Sequence, residues 1–103
     1  MTLVVTSKAP DQAQALTSLG EVVRELAAEE EMAILCYADA VYNLVAGSKP
    51  QEHFAQLPGT FYAVEADVLA RGIAQKLAPS VRQVDYPAVV DLILAAGRLV
   101  SCA

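Results

Sequence analysis

Histidine, cysteine and glycine, on which much of small-molecule chemistry depends, are scarce in this chain. It holds one histidine, two cysteines, five glycines and no tryptophan among 103 residues. His53 lies in a polar stretch with no sequence partner, and a lone loop histidine carries no catalytic reading. Cys36 and Cys102 lie far apart and form neither a disulfide framework nor a metal-ligand pattern. The first crossover, TSKAPDQ, contains no glycine, which excludes a phosphate cradle of the P-loop or Rossmann kind. Seven basic residues stand against twelve acidic ones, for a net charge of -5. Neutralising a phosphate backbone needs a basic surface, so direct nucleic-acid binding is excluded. No apolar run reaches the roughly 18 residues of a membrane span. The opening MTLVVTSK has no basic leader and reads as no signal peptide, so the expectation is cytoplasmic residence. No cofactor is called for.

Apolar side chains are abundant. Hydrophobic residues make up 55% and mean hydropathy is +0.40, high for 103 residues. That excess implies apolar surface buried against other subunits. The length allows one core, hence a single domain over residues 1–103.

Thr60–Val64 (TFYAV) is an apolar, β-branched and aromatic run that reads as a buried central strand. Glu65 and Ala66 turn the corner, Asp67 opens a helix, and Gly72 stops it. Asp67 and Arg71, four apart, face each other in the favourable order. Leu3–Thr6 is a first strand, followed by helix-start chemistry in Ser7, Pro10 and Asp11. Ala13, Leu16, Leu19, Val23 and Leu26 recur at helical spacing, with a kink or break expected at Gly20. Glu29–Glu31 is a solvated turn. Met32–Tyr37 is a second strand, and Asp39 is placed to cap a short helix over Val41–Ala46. Gln51–Gln56 forms a helical turn and Val81–Val84 a fourth strand. Asp85-Tyr86-Pro87 opens an apolar helix over Ala88–Ala96, and Leu99–Ser101 makes a last strand. Strands alternating with helices predict a three-layer α/β sandwich with a mainly parallel sheet of about five strands. In such sheets ligands gather outside the carboxyl ends of the strands. Cys36, inside a central strand, reads as a small buried hydrophobe. Cys102, beside a chain end, is either inert or an exposed thiol able to carry persulfide sulfur.

FYAVEADVLARG followed by VDYPAVVDL resembles the C-terminal half of the DsrH/TusB sulfur-relay proteins, within the DsrE/DsrF/DsrH superfamily. The matching positions are Asp67, Ala70, Arg71 and Gly72 in D-x-x-A-R-G, then Asp85, Tyr86, Val90 and Leu92 in the next helix. ADAVYNLV resembles the family's turn after the second strand through Asp39, Val41 and Tyr42, and LVVTSKAP resembles its opening. The resemblance implies a DsrE/flavodoxin-like fold and assembly with DsrE/TusD-like and DsrF/TusC-like subunits. It also implies passage of persulfide sulfur for tRNA thiolation or sulfur oxidation, with a DsrC/TusE-like acceptor among the partners. Asp39, Tyr42, Asp67, Arg71, Gly72 and Tyr86 are its motif and interface positions. The relay cysteine of the DsrE/TusD branch falls on Val64, which cannot hold sulfur. Three readings follow. The leading one is an accessory, non-catalytic subunit of a sulfur-relay complex, in a hetero- or homo-oligomer. The others are a sulfurtransferase using Cys102, and a self-assembling protein with a small-ligand pocket around Asp39 and Asp67.

Overall fold

A computed structural model describes residues 1–102. Strands β1 (Thr2–Thr6), β2 (Met32–Cys36), β3 (Thr60–Val64), β4 (Arg82–Val84) and β5 (Arg98–Ser101) form a five-stranded sheet, ordered β4-β3-β2-β1-β5. Every pairing in it is parallel. Helices α1 (Ala13–Ala27), α2 (Lys49–Ala55), α3 (Glu65–Ala70) and α4 (Tyr86–Ala95), with a 3₁₀ helix over Ala38–Leu44, make the crossovers. The expected three-layer sandwich is therefore the fold.

Strand side chains alternate between faces. On the first face Val4, Ile34, Cys36, Phe61 and Ala63 pack with Leu19, Val23, Leu44, Phe54 and Val68 from the helices before β4. On the second face the buried cluster is Leu3, Ala33, Leu35 and Val64, against Val89, Leu92 and Ala96 of α4. The topology explains this inequality. The first three crossovers step from β1 out to β4, and the last returns past β1 to β5. Right-handed crossovers that step in opposite directions cover opposite faces. All helices but α4 therefore share one layer.

Local chemistry sets the ends of the elements. Gly72 (φ +67) donates to Leu69 O and the Ile73 N–H to Val68 O, the paired bonds of a Schellman stop for α3. Val68 and Ile73 meet in the core beneath it. Asp85 Oδ1 accepts from the Ala88 N–H at 3.0 Å, capping α4 as expected. Ser48 caps α2 by accepting from the Gln51 N–H. Two expectations for the first helix are corrected. Ser7 caps nothing; Ala9 and Gln12 close a turn over Pro10 by reciprocal bonds, and the helix starts only at Ala13. Gly20 does not break α1, which runs from Ala13 to Ala27 with Gly20 buried beside Leu19 and Val23.

Two glycines give opposite expectations. A Cβ on Gly20 would make ordinary contacts, 3.5 Å from Arg24 Nη1 and 3.7 Å from Leu57 Cδ2. Gly20→Ala is expected to stabilise by about 0.5–1 kcal/mol through helix propensity. Gly59 has φ +124, and its Cβ would stand 2.9 Å from Met32 O and Ile34 Cδ1. Gly59→Ala is expected to cost about 1–3 kcal/mol. Urea unfolding of both variants against wild type checks the signs.

Candidate functional site at the carboxyl ends of the strands

β3 runs into α3 without a loop, so Val64 is itself the N-cap of that helix. Glu65 and Ala66 form the first turn of α3, which corrects their reading as a separate corner. Asp67, expected to cap its own helix, serves the neighbouring element instead. Its Oδ2 accepts from the Ala38 N–H at 2.9 Å. Ala38 opens the 3₁₀ helix with φ +50, a left-handed conformation that costs an alanine roughly 1–2 kcal/mol. The Asp67 carboxylate holds the amide in that turn. Asp39, likewise expected as a cap, lies one residue inside the 3₁₀ helix, and the N-cap Tyr37 makes no side-chain cap bond.

Arg71 joins these pieces. Its Nε and Nη2 donate to Asp39 Oδ1 at 3.1 and 2.9 Å, and its Nη1 donates to the Asp67 backbone oxygen at 3.0 Å. The Asp67 carboxylate lies 3.7 Å from Nη1, the expected i, i+4 pair. The guanidinium carbon sits 5.9 Å from the Tyr42 ring centroid, within cation–π range. The Arg71 side chain is 22% exposed and that of Asp39 61%, so the cluster faces outward from a half-buried arginine. Asp39, Tyr42, Asp67 and Arg71 thus converge where β2 and β3 end, and Gly72 terminates the helix that carries two of them. Tyr86 does not join them; it begins α4, on the sheet's other face, and is 66% exposed.

Asp39, Asp67 and Arg71 are engaged with one another, and no nucleophile stands among them. Val64 is buried. Cys36, at the end of β2, is fully buried, and burial pushes its thiol up to about 12. Cys102 is held by its backbone: its N–H donates to Val5 O at 2.8 Å, and its carbonyl accepts from Thr6 Oγ1 at 3.1 Å. Its partly buried thiol lines a shallow hollow of about 240 Å³ with Lys8, Ser18, Leu19 and Val22, and burial raises its pKa. His53 lies in the last turn of α2 rather than in a loop, beside a cavity of about 520 Å³ between α1 and α2. Among the described residues, no group of three His, Cys, Asp or Glu side chains gathers as metal ligands.

Some contributors carried no readable signal. Ala38 matters through its amide and its φ, which no residue type announces. Glu30, placed in a solvated turn, accepts from the Thr2 hydroxyl and lies 3.8 Å from Arg98 Nη1. Asn43 is fully buried, and its amide nitrogen donates to Lys8 O at 2.8 Å and to Ala40 O at 3.1 Å. An asparagine inside the apolar run VYNLV was the available hint.

These features define a small parallel α/β sandwich whose strand-end corner carries an ion-paired arginine where a reactive group could stand. The chain belongs to the DsrH like protein family, which matches residues 8–98. Membership agrees with the motif resemblance and relates the chain to sulfur-relay proteins. Among solved structures it is similar to the ychN protein from E. coli, with 17% identity, TM-score 0.76 and 97% of each chain covered. It is also similar to MTH1491, a protein of unknown function from Methanobacterium thermoautotrophicum, with 17% identity, TM-score 0.77 and 97% of each chain covered. At that identity the likeness is one of fold. No curated relative matches the sequence.

The buried thiol yields a pH dependence. Native Cys36 keeps its proton up to about 12, whereas the unfolded thiol releases it near 9.0. The native state therefore binds more protons between those values, and stability falls as pH rises, by about 1.4 kcal/mol per pH unit from this group. Urea unfolding from pH 8.5 to 11 should show the slope, and Cys36→Ala should reduce it.

Proposed function

We propose that this chain is an accessory, non-catalytic subunit of a cytoplasmic sulfur-relay assembly, which passes persulfide sulfur for tRNA thiolation or sulfur oxidation. The observation that carries the reading is the corner at Val64. A buried valine occupies the strand end where a relay cysteine of a related subunit would lie, and an Arg71–Asp39–Asp67 network braces the surface around it. A nucleophile is replaced by a rigid, charged, outward-facing patch. Such a patch suits docking, because exposed charge and a half-exposed aromatic select a partner more than they transform a substrate. The partners are DsrE/TusD-like and DsrF/TusC-like subunits. Their cysteine would do the chemistry, with a DsrC/TusE-like acceptor downstream.

A second reading draws on Cys102, which shares its hollow with Lys8 at the carboxyl end of β1. There the Cys102 thiolate would attack the terminal sulfur of a donor persulfide. The donor's S–S bond breaks, the donor leaves as a thiolate, and a new S–S bond forms on Cys102 without net oxidation. The raised pKa of this thiol weighs against it.

Co-expression with DsrE-like and DsrF-like relatives tests the first reading. Co-elution is expected, and Asp39→Arg should weaken association on the order of tenfold, or ~1.4 kcal/mol. A wild-type chain that never associates with them sinks it. Intact-mass analysis after incubation with a persulfide donor tests the second. A gain of one sulfur atom on wild type that Cys102→Ser lacks supports Cys102, and no gain on wild type rejects it.

A further inference from the structure

We infer that the groove between α1 and α2 is a binding site for a small amphipathic carboxylate, an apolar chain or ring that ends in a single negative charge. The inference does not rest on the relay reading, because no residue of the Asp39–Arg71 corner lines this groove.

The two helices face each other without closing. A hollow of about 520 Å³ separates the N-terminal half of α1 from α2, and a second of about 120 Å³ continues it toward Arg24. Thr17, His53 and Phe54 line both, so the two form one groove. Neighbouring helices ordinarily interdigitate with their axes about 8–10 Å apart, and voids larger than a water molecule are few. Here α1 presents a flank of small residues, Ala13, Thr17 and Gly20, and α2 presents the polar Lys49, Glu52, His53 and Gln56. Neither flank fills the space. Gly20 costs α1 helix propensity, although a Cβ there would make only ordinary contacts. Packing therefore does not require this glycine, and its bare backbone keeps the inner end of the groove open.

The lining decides the occupant. Pro10, Leu16, Pro50 and the buried Phe54 supply an apolar bed, and the larger hollow lies within the roughly 300–1,000 Å³ of small-molecule sites. An apolar body is what such a bed holds. Lys49 and His53 stand four apart on one flank of α2, where an ammonium and a ring N–H can meet the two oxygens of one carboxylate. Lys49 is in no ion pair among the described residues, so its charge is free for a ligand. The first turn of α1 carries no acid to oppose an anion at that end. Glu52, on the same flank as Lys49, limits the complement to one negative charge, since it repels a phosphate dianion or a polyanion. A primary amine would meet Lys49 as a like charge.

Titration of the purified full chain at pH 7 with octanoate, octanol and octylamine, followed by amide NMR shifts, tests this. Octanoate is expected to give saturable shifts confined to α1 and α2, with a Kd on the order of 1 mM. Octanol should bind more weakly, and octylamine more weakly still. Lys49→Met should weaken octanoate on the order of threefold and leave octanol unchanged. Thr17→Phe, at an exposed position that lines both hollows, should abolish binding of both by filling the groove. Circular dichroism checks that each variant keeps the fold. Octanoate shifts that do not saturate or that fall outside the two helices overturn the inference. So does octylamine binding as tightly as octanoate, or octanoate binding that ignores Lys49→Met or Thr17→Phe; each of these outcomes leaves the relay reading standing.

Discussion

Five strands running the same way impose the constraint on which the remaining structure depends. Each parallel pairing requires the chain to cross back over the sheet, so connection and covering layer are the same segments. Three outward crossovers place α1, the 3₁₀ helix, α2 and α3 on one side, and one returning crossover places α4 on the other. The molecule therefore has a deep core and a thin one. On the thin side, where helix runs out, the large apolar residues Tyr86, Val90, Ile93, Leu94 and Leu99 are left exposed.

The deep side explains the rigidity of the strand-end corner. α3 has six residues, too short to persist by propensity alone. It stands because β3 feeds it directly, Val68 anchors it in the core, and Gly72 closes its last turn. Rigid placement of α3 then places Asp67 under the Ala38 amide and Arg71 between Asp39 and Tyr42. Two strand ends are thereby tied by one arginine. An ion-pair network of this kind contributes little net stability where it is exposed; its effect is to specify a geometry.

Much of this was legible in the residues. Near-continuous apolar runs separated by helical spacing disclosed the strand and helix order, and D-x-x-A-R-G with the Asp85-Tyr86-Pro87 helix start disclosed the family. The errors share a cause. Capping is a local rule and predicts Asp39 and Asp67 as caps of their own helices, whereas both act across space. Propensity predicts an interruption at Gly20, and tertiary packing overrides that preference. Ser7 and Pro10 predict a helix start, although the same residue types serve a turn equally well. Interactions between residues about thirty positions apart, such as Arg71 with Asp39 or Thr2 with Glu30, leave no periodic trace for a reader of sequence.

The neighbours of β1 are β2 on one edge and β5 on the other, and β5 pairs Arg98 with Thr2. During synthesis, at roughly 5–20 residues per second, the first strand waits on the order of ten seconds for that partner to emerge. Throughout that interval an unpaired row of amides and carbonyls borders Leu3, Val4 and Val5, an adhesive ribbon in a crowded ribosomal neighbourhood. Sealing of that edge thus waits on β5, and ribosomes stalled before it would release a chain with β1 open along one side.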